Sequence, residues 1–419
     1  MIRAALHTSI LLLVVAAANA LAAPPSPCVP YDPLATNGQR FAGTAGKQTL
    51  VINYFADYET FSVDCNGDGD FTDIASGDRL DGGFSGEADI RLGGNDTIVV
   101  NVNAAWTDQH RKLSILLGPG TNNVTFNFTS QTLTSSSLLV DLVGGAGTDN
   151  VSVINPPLLS SSGFSLRADL GLGNDSLAVK LPRVIGEAQF DLDVNLGAGN
   201  NSLILDQGHA LMSGNGAVHV SVLGGAGVDT VKALLDGYWA GASQLVLATD
   251  LGAGNDVLAV TLFCSNTASD FRIDPAADVK LFATGGIGND SLSVVKAGTT
   301  APFVDGRLDV DLQGGVGNDT ITSDLALNMF GTLRLRAKGG AGNDVITATV
   351  DSRPSPPGSA PTHDVFLSGG AGNDTLTYNP FYGSGSVFVG FPALDGSFGT
   401  LDKCVVGGTF SAHIRGCEL

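Results

Sequence analysis

A short glycine-rich phrase recurs along this chain and constrains the fold more than any other feature. Gly-Gly-Ala-Gly-Asn-Asp occurs at Gly339–Asp344 and Gly369–Asp374, and variants bring the number of copies to eleven. Successive copies lie 25 to 34 residues apart. A nearly constant period of this size is typical of a stacked array in which each repeat contacts only its neighbours.

Each copy ends in one residue that we call the column residue, and positions are counted from it. Glycine stands two places before the column residue in all eleven copies, and asparagine stands directly before it in eight. The column residues are, in order, Asp96, Asn122, Asp149, Asp175, Asn201, Asp229, Asp256, Asp290, Asp319, Asp344 and Asp374.

Aliphatic residues follow the column residue at a fixed distance and predict strands. A branched aliphatic side chain stands two places after it in every copy: Ile98, Val124, Val151, Leu177, Leu203, Val231, Leu258, Leu292, Ile321, Ile346 and Leu376. Apolar and polar residues alternate on both sides of the turn, as in a strand with one buried face. Each unit is therefore predicted to be a strand, a glycine turn, a second strand and a loop.

Two architectures accommodate such units. The prediction is an all-β parallel β-helix, or β-solenoid, of about eleven rungs with a cap at each end; the alternative is an antiparallel β meander. The near-constant period favours the parallel stack, in which equivalent residues lie about 4.8 Å apart. Asn95, Asn174, Asn255 and Asn289 are then expected to share side-chain amide hydrogen bonds in a ladder.

The flanks of the array suggest a division into four segments. Residues 1–23 resemble a secretory signal peptide, with Arg3, an apolar stretch and a small-residue cleavage site. Residues 24–88 are predicted to form an N-terminal cap, 89–378 the array and 379–419 a C-terminal cap. The mature protein is expected to be secreted, either free, periplasmic or associated with the cell surface, without a membrane span.

Five cysteines are compatible with disulfides in an exported protein. Cys404 and Cys417 flank a predicted hairpin and are the best candidate pair. Cys28 and Cys65 are the second pair, which leaves Cys264 single and buried.

The charge pattern argues for cations as ligands. The net charge of −20 disfavours nucleic acid and anionic membranes as partners. In a parallel stack, nine repeated aspartates would form one column of like charges about 5 Å apart, which a divalent cation would neutralise. The alternative is that Asn-Asp only hydrogen-bonds the turn backbone. The predicted metal ligands of the array are Asp96, Asp149, Asp175, Asp229, Asp256, Asp290, Asp319, Asp344 and Asp374.

The turns resemble a known family of repeats. Gly339–Thr347 matches, position by position, the nonapeptide of the haemolysin-type calcium-binding (RTX) repeat family. This resemblance implies Ca²⁺ between rungs. RTX nonapeptides are usually tandem, whereas here a single glycine turn occurs in each repeat, so at most one column of ions is expected.

A second candidate calcium site precedes the array. The segment 64–73 matches the first seven positions of an EF-hand loop, but Ala75 stands where the closing glutamate belongs. An acid-rich surface turn is the alternative. The predicted ligands are Asp64, Asn66, Asp68, Asp70 and Asp73.

The function predicted from these patterns is that of a secreted calcium-binding repeat protein with a structural, surface or matrix role. The alternatives are a carbohydrate-binding or adhesive module, with extracellular polysaccharide or a cell surface as partner, and a polysaccharide lyase or hydrolase. The histidines share no motif, and carboxylate pairs such as Asp191 with Asp193 and Asp309 with Asp311 have the pattern of solvated strand residues. We therefore predict that the protein is not an enzyme.

Overall fold

The computed structural model of the chain describes residues 39–42, 46–56, 59–64, 87–264, 271–353, 361–382, 387–388, 393–397, 401–407 and 413–417. These residues form 37 β-strands and no α-helix. The described part of the chain therefore contains no helix that would span a membrane.

The strands follow one another in chain order with short connections. The first eighteen are β1 (Gln39–Ala42), β2 (Thr49–Tyr54), β3 (Glu59–Asp64), β4 (Glu87–Arg91), β5 (Thr97–Val102), β6 (Trp106–Thr107), β7 (His110–Leu116), β8 (Gly120–Asn127), β9 (Thr132–Thr134), β10 (Ser137–Val143), β11 (Gly147–Ile154), β12 (Leu158–Ser160), β13 (Gly163–Asp169), β14 (Ser176–Lys180), β15 (Arg183–Ile185), β16 (Gln189–Asn195), β17 (Ser202–Asp206) and β18 (Leu211–Met212). The rest are β19 (Ala217–Ala226), β20 (Thr230–Leu235), β21 (Tyr238–Trp239), β22 (Gln244–Ala253), β23 (Val257–Phe263), β24 (Arg272–Ile273), β25 (Asp278–Ile287), β26 (Ser291–Ala297), β27 (Phe303–Val304), β28 (Arg307–Val316), β29 (Thr320–Met329), β30 (Thr332–Ala341), β31 (Val345–Arg353), β32 (Thr362–Ala371), β33 (Thr375–Tyr382), β34 (Val387–Phe388), β35 (Ala393–Ser397), β36 (Lys403–Val406) and β37 (His413–Arg415).

The strands stack into a parallel solenoid, which confirms the predicted fold and excludes the antiparallel meander. Each coil contributes one strand to a first sheet of 15 strands, and its other strands to a second sheet of 22. The first sheet runs β4, β7, β10, β13 and onward, always pairing one coil with the next. The only antiparallel pair in the described chain joins β2 to β3.

The coil extends into both flanking segments. β1 and β2 pair in parallel with β4 and β5, so coiling begins before residue 89. Beyond residue 378, β35 and β36 add to β32 and β33. Cys404 and Cys417 form the predicted disulfide, and Cys264 is buried, with its Sγ accepting a hydrogen bond from the Thr300 hydroxyl at 3.0 Å. Cys28 and Cys65 lie outside the described residues.

The core is a single column of apolar layers between the sheets. All eleven aliphatic residues two places after the column residue are buried, because that position points inward from the second sheet. From the first sheet, residues such as Leu308, Val310 and Leu312 pack against them. The large aromatic residues Trp106, Trp239 and Tyr378 are also fully buried in this core.

Candidate functional site

The predicted acids come together in one buried column at the corner between the two sheets. The strands that follow the turns pair in register, for example Thr320 with Val345 and Val345 with Thr375. This register stacks the preceding column residues over one another. All eleven column side chains have an exposed fraction of 2% or less.

One oxygen of each carboxylate serves a continuous ladder of hydrogen bonds. The main-chain N–H of Asp290 donates to Oδ1 of Asp319 at 2.8 Å, and that of Asp319 donates to Oδ1 of Asp344 at 2.8 Å. The same bond joins Asp229 to Asp256, Asp256 to Asp290, and Asp344 to Asp374. Each column residue therefore accepts a hydrogen bond from the preceding rung.

The ladder has two further members that sequence analysis missed. Gln48 begins it by donating its N–H to Asp96 Oδ1, and Asp402 ends it by accepting the N–H of Asp374. Gln48 has glycine two places before it, Gly46, and the buried Leu50 two places after it, but it is neither Asp nor Asn and lies 48 residues before Asp96. Asp402 lies 28 residues after Asp374, with Cys404 buried two places later, but it has no glycine two places before it. Both lie in segments that were predicted to be caps.

The second oxygen, Oδ2, lacks a hydrogen-bond donor in most rungs. It is buried without such a partner in Asp96, Asp175, Asp256, Asp290, Asp319, Asp344, Asp374 and Asp402. Two acids differ: Oδ2 of Asp149 accepts the N–H of Gly145 at 3.1 Å, and Oδ2 of Asp229 accepts the N–H of Gly225 at 3.0 Å. Within the glycine turns, these two are the only aspartates not preceded by asparagine.

In the last four glycine turns, the glycine five places before the column aspartate lies beside its Oδ2: Gly285, Gly314, Gly339 and Gly369. A Cβ atom on Gly314 would lie 2.3 Å from Oδ2 of Asp319 and 2.5 Å from the carbonyl oxygen of Gly339 on the next rung. The same arrangement recurs at Gly339, with Asp344 and Gly369. A carboxylate oxygen without a donor and a main-chain carbonyl oxygen thus border the same space, where a proton or a cation would stabilise the carboxylate.

Burial shifts the titration of the column. It raises the pKa of Asp96, Asp175, Asp256 and Asp344 from 3.8 to about 6. It also raises the pKa of Asp149, Asp290, Asp319 and Asp374. For Asp344 the charges of Asp319 and Asp374 add to the effect, as expected for stacked like charges.

Asn122 and Asn201 show how a neutral group occupies the same column. The Nδ2 group of Asn122 donates to the Gly118 carbonyl and to Oδ1 of Asp149 at 2.7 Å. That of Asn201 donates to the Gly199 carbonyl and to Oδ1 of Asp229 at 3.0 Å. An amide thus supplies the donor that the aspartate rungs lack, so these rungs need neither proton nor cation.

The asparagines before the column residue form a second ladder on the outside of the turn. Oδ1 of Asn289 accepts the main-chain N–H of Asn318 on the next rung at 2.7 Å, and Asn318 and Asn343 do the same for Asn343 and Asn373. The prediction of shared amide–amide bonds was wrong, because each side chain reaches the neighbouring backbone instead. This outer ladder points toward the next rung, opposite to the inner ladder.

The oxygen atoms that line the column are of the chemical type that binds calcium. Carboxylate and glycine carbonyl oxygens are the ligands that Ca²⁺ prefers, but it takes six to eight of them. No described group of three or more acidic, histidine or cysteine side chains is placed to hold a metal ion. Carbonyl oxygens and water would therefore have to complete any site.

The second predicted calcium loop falls largely outside the described residues. Asn66, Asp68, Asp70 and Asp73 lie there, and the backbone of Asp64 ends β3. Its calcium binding stays a prediction.

The predicted carboxylate pairs lie on the outer surface of the first sheet. Asp191 contacts His219 Nδ1 at 3.1 Å, and Asp193 lies 4.0 Å from Arg167. Asp309 pairs with Arg307 and is only 2% exposed, so the prediction that it is a solvated residue was wrong. Asp311 lies 3.9 Å from Arg334. These acids thus alternate with cations along the sheet.

No family model, no curated protein and no solved structure matches the chain. The likeness to RTX repeats stays a prediction from the turn sequence.

Proposed function

We propose that this protein is an extracellular structural solenoid that binds calcium along the C-terminal half of its acid column. The observation that most supports this proposal is an unbroken run of aspartates whose buried Oδ2 atoms lack a hydrogen-bond donor in the described chain. These are Asp256, Asp290, Asp319, Asp344, Asp374 and Asp402. A buried anionic oxygen without a partner is costly, and repetition on successive rungs multiplies the cost.

The N-terminal half of the column offers no such run. Asn122 and Asn201 supply their own donors, and Oδ2 of Asp149 and Asp229 accepts a main-chain N–H. Asp175 is thus isolated between Asp149 and Asn201, and Asp96 lies between Asn122 and Gln48, neither of which carries a carboxylate. An ion bridging two adjacent rungs therefore finds two available carboxylate oxygens only from Asp256 onward.

In that half, the residues that would hold calcium are the six aspartates and the first glycines of their turns. Each aspartate keeps one oxygen in the ladder and offers the other, beside a glycine carbonyl of the next rung at Gly285, Gly314 and Gly339. Calcium would supply the positive charge that lets these carboxylates stay ionised at neutral pH. The match of the turns to the RTX nonapeptide supports the choice of ion.

The extracellular role rests on separate observations. The Cys404–Cys417 disulfide is typical of proteins that function outside the reducing cytosol. A continuous rod of parallel coils suits a structural, surface or matrix component. The N-terminal signal sequence agrees with export.

Calcium titration of the chelator-treated mature protein tests this proposal. Binding only to the folded state adds about 2.7 kcal/mol per site at a hundredfold excess of ion over Kd, so the melting temperature should rise. Asp319→Asn with Asp344→Asn should reduce both the bound calcium and the rise. Asparagine is compatible with the column, as Asn122 and Asn201 show.

The matched control removes two charges from the outer surface of the first sheet instead. Asp191→Asn with Asp193→Asn makes the net charge less negative by the same amount and should leave the calcium response unchanged. An unmoved melting curve of the metal-free wild type at millimolar calcium, or equal losses in both variants, contradicts the proposal.

A further inference from the structure

The outer surface of the second sheet carries a patch of uncharged hydroxyl side chains. Strands β26, β29 and β33 place hydroxyls at both outward positions, one and three places after the column residue: Ser291 and Ser293, Thr320 and Thr322, Thr375 and Thr377. On the intervening β31, Thr347 lies between Thr322 and Thr377 and Val345 between Thr320 and Thr375. We call these eight residues the hydroxyl patch.

The hydroxyls of the patch are available to a partner. Each of its side chains is exposed or half-buried. Among the seven hydroxyl groups, only that of Ser293 donates within the described chain, to the carbonyl of Leu258 at 3.1 Å. The others face outward in two rows with one residue per rung, about 4.8 Å apart.

The absence of charge distinguishes this surface from the opposite one. On the same four coils, the first sheet directs Arg334, Arg336, Asp309, Asp311 and Asp364 outward. Both sheets obey the same strand propensities, so propensity does not explain why one is charged and the other neutral. The exposed Asp324 borders the patch, two places beyond Thr322 on β29. The two rows of the patch itself carry no charge over four successive rungs of a chain with net charge −20, which favours an uncharged partner.

The neutral surface continues around the turn. Next to the patch, the outer asparagine ladder of Asn289, Asn318, Asn343 and Asn373 is exposed, and the only acid of these turns is the buried column residue. Beyond it, Ile287 and Val316 are 63% and 56% exposed on adjacent rungs. Hydroxyl, amide and apolar rows thus lie side by side along the rod.

We infer that the hydroxyl patch and the adjoining asparagine ladder bind a neutral polysaccharide lying along the solenoid. Sugar rings present hydroxyl edges and apolar faces, which match the hydroxyl and amide rows and the methyl groups of threonine and valine. An extended chain repeats its groups along its length, as the rungs do. Acidic polymers are disfavoured by the charge of the molecule, and cationic ones would be attracted to exposed acids of the first sheet such as Asp193 instead.

The surface row of aromatic residues is a weaker candidate for the same partner. Arg272 stacks over Tyr238 and over Phe303, and Phe303 stacks on Phe330 with 6.4 Å between the ring centroids. Because neighbours on successive rungs cover the ring faces, few faces remain for a sugar. This row therefore stabilises the stack, and the polysaccharide is assigned to the hydroxyl patch.

Co-sedimentation with microcrystalline cellulose, amylose granules and chitin, at saturating calcium, tests the inference. The wild type should bind at least one of these neutral polymers. Thr322→Lys with Thr347→Lys places two charges in the patch and should weaken binding about tenfold or more, because desolvating an unpaired charge is costly. The matched control, Ser221→Lys with Ala248→Lys, adds the same charges on adjacent rungs of the first sheet and should bind like the wild type.

The contrary results are equally definite. Failure of the folded wild type to sediment with all three polymers would overturn the inference, as would retention only on a charged gel such as alginate. Equal weakening by both lysine pairs would show a nonspecific effect of charge. Circular dichroism of each variant establishes that the solenoid is intact, and calcium binding is measured in parallel, so this outcome is independent of the proposed metal sites.

Discussion

At the scale of single residues, the glycine two places before each column residue is required for close stacking. Gly342 has a φ of +141°, and a Cβ there would lie 1.8 Å from the carbonyl oxygen of Gly317 on the preceding rung. All the atoms that this Cβ would meet belong to the backbone, so no flexible side chain can move aside. The turn therefore accepts only glycine at this position.

Gly342→Ala is expected to destabilise the protein by an amount on the order of 1–3 kcal/mol, because the turn must distort. Gly163→Ala provides the control, since a Cβ there meets only the Ser137 Cβ at 3.9 Å. Chemical denaturation measures both. A Gly342→Ala variant as stable as Gly163→Ala would show that the stacking distance is adjustable.

The two oxygens of a column aspartate have separable roles. Asp319→Ala removes the acceptor for the buried N–H of Asp290 and should cost about 1–3 kcal/mol in metal-free protein. Asp319→Asn keeps an acceptor and adds the donor seen in Asn122, so it should cost less. If both variants lose the same free energy of unfolding, the ladder hydrogen bond makes no measurable contribution to stability.

At the scale of the column, stability of the metal-free protein should depend on pH in an unusual direction. The folded-state pKa of Asp96, Asp175, Asp256 and Asp344 is about 6 and lies above the ordinary 3.8, so the folded state binds more protons than the unfolded state between these values. The stabilisation is complete below about pH 4 and is lost as the pH rises through about 6.

Thermal melts between pH 4 and 7 check this expectation when they are recorded once with chelator and once with saturating calcium. Calcium should restore stability mainly above pH 6, where the carboxylates are ionised, and should have little effect near pH 4. Metal-free stability that increases with pH over this range would mean that the column acids ionise freely in the folded state.

The sequence predicted this column well but missed parts of its chemistry. The repeated aspartates and the aliphatic residue two places later indicated one stack, because any other register would bury the charged face of the strand. Gln48 was missed because it is not an acid and lies 48 residues from Asp96, outside the period of the repeat, and Asp402 because no glycine stands two places before it. The bonding pattern was also missed: which oxygen meets which backbone group depends on rotamers within a turn, and periodicity carries no information about them.

At the scale of the whole molecule, stability should be local, since each coil contacts only its neighbours. Cys404→Ser with Cys417→Ser opens a short loop in the last described coils, where such a crosslink contributes about 3 kcal/mol in the chain-entropy account. Amide hydrogen exchange should increase in β33 and β36 but stay unchanged in β14 to β20. Faster exchange throughout the rod would indicate that the molecule unfolds as one unit.

Each rung forms the same inner and outer ladder bonds with its two neighbours. The rungs are therefore interchangeable by simple translation along the rod. Excision of residues 320–344 would join Asp319 to Val345. The Asp374 side chain would then accept the N–H of Asp319 instead of that of Asp344, and the Asn373 N–H would donate to the Asn318 side chain instead of that of Asn343. The rod would shorten by one step of about 4.8 Å, a change that small-angle scattering detects. The number of repeats encoded in the gene therefore sets the length of the rod. Duplication or loss of one repeat changes this length while the ladder contacts between rungs stay the same.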